Sequence, residues 1–248
     1  FLGPAQGEQA CGDVGPGRML EPAQLVELSA SLFETGELAG KSFVITGGPT
    51  REAIDPVRFI SNHSSGKMAY ALAAEAVAAG AKVTLISGPV NLATPESVKR
   101  IDVISAAEML VATHEAMADC DVFIGVAAVA DYRPVEIAAQ KIKKSDEQMQ
   151  LTLVKNPDVI SEVAQREEKP FVVGFAAETN DIVSNGKDKL KRKGLDMLFA
   201  NNATETFNSD SIAVTALTET CETELKAGNK NVVARNMLQL IATALNER

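Results

Sequence analysis

Two stretches, VFIGVAA beginning at Val122 and FVVGFAA beginning at Phe171, are apolar at every position rather than at alternate ones. A strand of that kind has no face left for water, so it belongs in the middle of a parallel sheet covered by helices on both sides. The rest of the chain agrees with that demand. Short apolar runs predict strands over 41–46, 81–87, 100–105, 120–128, 171–176 and 196–200, and helical spacing predicts helices over 66–79, 106–118, 158–166 and 181–193 between them. A hairpin over 211–217 and 222–226 and a helix over 231–245 complete the pattern. The expectation is an α/β fold: a Rossmann-like, mostly parallel sheet with helices on both faces. Residues 1–20, with five Gly and two Pro, read as loop, and Leu25, Leu28 and Leu32 predict a helix over 22–35. One segment breaks the alternation. Between Asp131 and Asn156 there is no long helix, and Met149, Leu151 and Leu153 alternate with Gln150 and Thr152. That predicts a protruding β arm, serving as a lid, a dimerisation element or both.

Charge narrows the partners. With 24 Lys+Arg against 33 Asp+Glu the chain carries −9, a poor balance for nucleic-acid binding. An anion must therefore be met by a local basic patch, and two exist. Lys141, Lys143 and Lys144 form one; Lys187, Lys189, Lys191, Arg192 and Lys193 form the other. Lys189 and Lys193 are four apart, share a helix face and suit a polyphosphate, although a solvated helix end explains the run equally well. No apolar run approaches the ~20 residues of a membrane span. Cys11, Cys120 and Cys221 lie far apart and only His63 and His114 are available as imidazoles, which disfavours a zinc site and fits a reducing, cytoplasmic setting. The start at Phe1 carries no signal-peptide pattern and suggests a fragment of something longer.

In open parallel sheets ligands sit beyond the carboxyl ends of the strands. The loop after the first strand offers Arg51 and Arg58 and then Asn62, His63, Ser64 and Ser65 before Gly66. The last group reads either as an ordinary helix cap or as a phosphate cradle. Two familiar phosphate motifs fail: a P-loop ending at Gly66-Lys67 needs glycine where Ser61 stands, and Gly47-Gly48-Pro49 does not match the dinucleotide fingerprint. Around the end of the first all-apolar run, Ala127, Ala128 and Ala130 let a flat ligand approach the backbone, and Asp131 either accepts ligand hydroxyls, holds a metal or caps a turn. Asn156-Pro157-Asp158 offers a ligand free amides or is simply a good cap. Phe175 is a core residue or a base-stacking platform, and His114, in an Ala-rich helix, reads as structural. There is no Ser-His-Asp order and no metal-ligand cluster.

Taken together, GGPTREAIDPVRFISNHSSGKM, AAVADYRP with KIKK, VKNPD, VVGFAAET and FNSD, in that order, resemble the phosphopantothenoylcysteine synthetase family of coenzyme A biosynthesis over about residues 38–248. The resemblance implies a CTP-dependent ligation of 4′-phosphopantothenate to cysteine through an acyl-cytidylate, with Mg²⁺ accompanying the nucleotide and pyrophosphate and CMP released. It implies that Asn62 binds the activated acyl group and supports attack by cysteine, and that Lys141, on a mobile arm, closes on the triphosphate. Gly125, Asp131, Pro157, Asp158, Val159, Ile160, Phe175, Lys189 and Lys193 would line the CTP pocket with Lys141; Ala127 and Ala128 would sit where substrate and nucleotide meet; Arg58 would face the substrate phosphate. The metal ligands stay unassigned. The family is dimeric, and the arm is its natural pairing element. QACGDVGPGRM resembles the substrate clamp of the FMN-dependent decarboxylase to which this family is fused in bacteria, which would make Cys11 a decarboxylase proton donor and residues 1–37 a remnant and linker. Without the flavin-binding part, no decarboxylation is expected. Two other readings remain open: a nicotinamide oxidoreductase, which lacks the glycine fingerprint and has Ser87-Gly88-Pro89 where an acidic ribose partner belongs, and a non-catalytic anion-binding module.

Overall fold

The computed structural model describes residues 3–8, 13–31, 36–143, 149–178, 181–202 and 211–248. In chain order the elements are β1 (Ala5–Glu8), β2 (Val14–Arg18), α1 (Pro22–Ser31), β3 (Ser42–Gly47), β4 (Arg51–Ala53), β5 (Phe59–Ser61), α2 (Lys67–Ala78), β6 (Lys82–Ser87), β7 (Val98–Asp102) and α3 (Ala106–Glu115). The chain continues with β8 (Val122–Gly125), β9 (Tyr132–Pro134), β10 (Leu153–Lys155), α4 (Val159–Ala164), β11 (Phe171–Glu178), α5 (Ile182–Lys193), β12 (Met197–Asn202), β13 (Ser211–Leu217), β14 (Glu222–Asn229) and α6 (Lys230–Asn246).

An eight-stranded sheet runs in the order β14-β13-β12-β11-β8-β3-β6-β7, parallel from β12 to β7 and antiparallel through the β13–β14 hairpin. The all-apolar runs take the central places: β8 pairs with β3 on one side and β11 on the other, and Val122, Phe123, Ile124, Val172 and Val173 are fully buried. Each face has its own core. α2 and α6 cover one, packing Leu72, Ala73, Val233 and Ile241 over Ile45, Leu85 and Phe199; α3, α4 and α5 cover the other, over Val44, Phe123 and Leu198. The Rossmann-like expectation holds. Among the described residues no helix is long and apolar enough to cross a membrane.

The departures have physical reasons. The first twenty residues are not all loop, since β1 and β2 pair antiparallel; glycine and proline hide a ribbon with no apolar face to betray it. The helix expected over 22–35 is seen as α1 to Ser31, its remainder lying outside the described residues. The loop after β3 contains an unforeseen hairpin, β4 with β5, whose three-residue strands are too short to carry a period. The strand expected over 120–128 is only β8, because the chain from Val126 onward turns into the loop, and the strand expected over 100–105 is β7, starting and ending earlier. Among the described residues, the arm between Asp131 and Asn156 is a ribbon only at its base, β9 with β10; Met149 precedes the paired stretch and is exposed, as is Leu153.

Candidate active site

Strand order reverses at β3. The chain goes outward one way through β6 and β7, then crosses back to lay β8 and β11 on the other side, so a crevice opens between the ends of β3 and β8. The two loops that follow these strands are laced together across it. Pro49 bridges Ala128, the Ala128 amide donates to the Gly48 carbonyl at 2.9 Å, and the Thr50 amide donates to the Ala128 carbonyl at 3.2 Å. Thr50 is wholly buried, and its Oγ1 accepts the Ala130 amide at 3.0 Å. Asn62 reaches the same seam, its Nδ2 donating to the Ala128 carbonyl at 3.1 Å. The lacing leaves no room behind it: a Cβ on Gly88 would overlap the Pro49 carbonyl oxygen. Gly88 is thus a packing requirement of the crevice.

A cavity of about 550 Å³ lies on the α4 and α5 side. Gly125, Ala127, Ala128, Asp131, Pro157, Asp158, Val159, Ile160, Phe175, Lys189 and Lys193, grouped by the family resemblance, all line this one cavity, joined by Thr46, Lys155 and Asn156. Asp158 caps α4, its carboxylate accepting the Ser161 amide at 3.3 Å, and it holds Lys193 Nζ at 2.7 Å. Pro157 precedes that cap, so of the two readings of Asn156-Pro157-Asp158 the geometry favours the cap. Partial burial pushes the Asp158 carboxyl upward, but the hydrogen bonds and charge of Lys193, with Ser161, outweigh it and hold the group below its ordinary value. Asn156 ties the arm to the seam, donating to the Ala130 carbonyl at 2.8 Å and accepting from Arg133 at 3.0 Å.

A second cavity, of about 230 Å³, lies on the α2 and α6 side and is lined by Ser64, Ser65, Gly66, Lys67, Asn201 and Lys230 among others. Ala127, Ala128 and Phe175 line both cavities, so the two meet over the ends of β8 and β11. Gly66, at φ +76°, is the residue preceding the first turn of α2 and supplies no side-chain cap. Ser64 instead accepts the Gly66 amide at 3.3 Å. The stretch Asn62–Ser65 is therefore not the helix cap, and Gly66, Lys67, Met68 and Ala69 at the start of α2 line this cavity.

Three expected site residues stand elsewhere. Asn62 touches the seam but lines neither cavity. Arg58 is engaged by Asp55, with Nε 2.9 Å from its carboxylate, and donates to the Ile142 carbonyl at 3.1 Å, which leaves it outside both linings. Lys141 is exposed next to Ile142 and lines neither cavity. In the basic run on α5, Lys187 pairs with Glu222 instead of facing the cavity. His114 is exposed on α3, with Nδ1 3.3 Å from Arg166. Cys11, Lys144 and the FNSD stretch lie outside the described residues. Sequence reasoning weighed Asn156 only as part of a cap or amide site, and missed Thr50, Lys155, Lys67, Asn201 and Lys230. The first three sit inside quoted motifs and could have been singled out there; nothing around Asn201 or Lys230 marks them. Among the described residues no group of three or more His, Cys, Asp or Glu is placed to hold a metal ion.

Residues 38–245 match the family described as the DNA/pantothenate metabolism flavoprotein C-terminal domain. The coenzyme A biosynthesis bifunctional protein CoaBC of Vibrio vulnificus is 54% identical over 249 residues, covering 98% of this chain and 62% of that protein. The chain thus spans about three fifths of the length of the curated relatives it matches. A crystal structure of the C-terminal domain of CoaBC superposes with a TM-score of 0.75 at 38% identity, covering 86% of this chain and all of that one. Cab2, solved in complex with phosphopantothenate-cysteine, shares the fold with a TM-score of 0.68 at 15% identity over 92% of this chain and 95% of its own.

Proposed function

The chain belongs to the DNA/pantothenate metabolism flavoprotein C-terminal domain family, and on that premise we propose that it is a CTP-dependent phosphopantothenate–cysteine ligase of coenzyme A biosynthesis. One observation carries the reading: two cavities, one rimmed by lysines and one by the start of α2 with two serines before it, share a wall of Ala127, Ala128 and Phe175. That arrangement suits a reaction in which a nucleotide and an acid must meet at one bond.

The larger cavity takes CTP, with Lys189 and Lys193 on its phosphates and Phe175 at the meeting point. The smaller takes 4′-phosphopantothenate, its phosphate at the first turn of α2. A carboxylate oxygen of the acid attacks the α-phosphorus, the bond to the β-phosphate breaks, and pyrophosphate leaves. The amine of cysteine then attacks the acyl carbon, loses a proton, and CMP departs with the electron pair of the C–O bond. Neither step needs a protein nucleophile. Positioning and charge neutralisation at phosphorus suffice. Asn62 keeps its amide at the seam beside the shared wall, where it supports the second step, and Lys141 closes on the triphosphate for the first. Arg58 we leave out of the phosphate site, since Asp55 and Ile142 occupy its guanidinium. Mg²⁺ fits as a companion of the triphosphate: it neutralises phosphate charge with mostly phosphate and water oxygens, and Asp131, which lines this cavity apart from the Asp158–Lys193 pair, is the carboxylate it would meet. FMN and the proton-donor role of Cys11 belong to the decarboxylase portion of the longer protein, with residues 1–37 as its remnant and linker.

The test is pyrophosphate and CMP release with CTP, Mg²⁺ and 4′-phosphopantothenate, with and without cysteine. Sustained release only with cysteine is the expected result. Equal release in its absence, or none under either condition from folded protein, removes the two-step ligation.

The chain also acts as a homodimer in this reading. The side-by-side β4–β5 and β9–β10 ribbons expose Val57, Phe59, Tyr132, Val135, Ile137 and Leu153, an apolar surface that a partner copy would cover.

A further inference from the structure

The turn between β4 and β5 grips the chain at the very place where Lys141 stands. Asp55 is the centre of the grip, with its side chain entirely buried. One carboxylate oxygen accepts the Val57 amide at 2.8 Å and the Arg58 amide at 2.9 Å, which closes the turn on itself. The other accepts Arg58 Nε at 2.9 Å and, from across the fold, the Ile142 amide at 3.2 Å. Arg58 completes the bracket by donating to the Ile142 carbonyl at 3.1 Å. Both backbone polar groups of Ile142 are thereby held by one ion pair. A second tie, from the Ala138 amide to the Ile54 carbonyl at 3.0 Å, fixes the same segment four residues earlier. The turn is itself mounted on the body of the fold: buried Glu52 accepts the Ala106 amide at 3.0 Å, and the Arg51 amide donates to the Ile104 carbonyl at 2.8 Å.

We propose that Asp55, acting through Arg58 and Ile142, is a positioning residue that sets where Lys141 starts its approach to the nucleotide. The proposal rests on the reading of Lys141 as the lysine of the activation step. Asp55 touches no reactant. It fixes the backbone beside Lys141, so that the lysine begins its approach from an anchored main chain. Ion pairing with Arg58 holds the Asp55 carboxyl far below the usual range, which keeps the bracket charged wherever the reaction runs.

The experiment compares Asp55→Asn, Arg58→Gln, Lys141→Gln and the Asp55→Asn/Lys141→Gln double variant in the full chain. Two readouts are taken: the rate of tryptic cleavage after Lys141, followed by fragment mass, and the single-turnover rate of pyrophosphate release. Asp55→Asn is expected to speed cleavage after Lys141 and to slow pyrophosphate release by about 10- to 100-fold, the scale of a misplacement near 1 Å. In the Lys141→Gln background the same change should slow release by no more than about 2-fold, because the two act on one event. If Asp55→Asn unfolds the chain, Arg58→Gln decides on the same readouts. Unchanged cleavage after Lys141 overturns the bracket, and so does full additivity in the double variant. Should Lys141→Gln release pyrophosphate at the normal rate while Asp55→Asn still exposes the cleavage site, the assignment of Lys141 falls and the catalytic meaning of Asp55 falls with it.

Discussion

At the scale of single residues, charge placed in a partly dry setting does the organising. Asp55 ionises far more readily in the folded chain than in the unfolded one, so it contributes stability in full above its unfolded value of about 4 and loses that contribution as pH drops through the lower folded value. We expect Asp55→Asn to melt several degrees below the parent at pH 7, with the gap steady down to about pH 4 and shrinking below it; thermal scans across that range check the sign. Lys193, paired with Asp158, is the corresponding case in the cavity proposed for the nucleotide. Removing it by Lys193→Ala should raise the KM for CTP about 10- to 100-fold, as expected for a charge-assisted bond to phosphate, with less effect on the KM for cysteine in steady-state assays. Burial pushes the Cys120 thiol up to about 12, whereas Cys221 is exposed. Iodoacetamide at about pH 8 should label Cys221 well before Cys120, read by peptide mass. Lys189 and Lys193 were legible because i,i+4 cations on a helix announce a common face. Asp55 and Arg58 are just as close in sequence, but three positions apart in a loop imply no geometry, and the bond to Ile142 crosses a distance no spacing encodes.

Among the elements, strands covered on both faces and Ala-rich helices were readable because periodicity and two-sided burial leave marks on many residues at once. Short ribbons were not. β4, β5, β9 and β10 each have three residues, and their conformation is set by neighbours. The ends of β3 and β8 show how the neighbours decide. The apolar run continues through Val126, Ala127 and Ala128, yet the strand stops at Gly125, and the Val126 and Ala128 amides find the Thr46 and Gly48 carbonyls across the seam. Gly88→Ala tests that packing. The added methyl would collide with Pro49 backbone, so the Pro49 loop must move, which should cost about 1–3 kcal/mol in denaturant titrations and raise the KM for both substrates together. A change confined to stability would mean that the loop relaxes without disturbing the crevice.

For the molecule as a whole, the mostly parallel sheet and its two helical layers were legible, since alternating strands and helices leave few topologies, whereas the order of the strands came only with the structure. The proposed pairing of copies is a matter of surface, and apolar residues scattered on and beside three-residue ribbons look like noise in a sequence. If the exposed face of the ribbons is covered in a dimer, Phe59→Glu with Ile137→Glu should sediment as monomer while the fold's circular dichroism is retained. An unchanged sedimentation coefficient would place the interface elsewhere. The reversal of strand order at β3 has a consequence for timing as well. Each cavity takes part of its wall from the chain before β7 and part from β8 onward, and Lys230 of α6 borders the smaller one. A ribosome that has delivered everything through β7 has made three of the sheet's eight strands and neither of these two cavities. Ligand can therefore do nothing to guide the early chain; binding becomes possible only when the two halves join, and the smaller pocket has its full rim only once α6 docks, which makes competence to bind a late reporter of a finished fold.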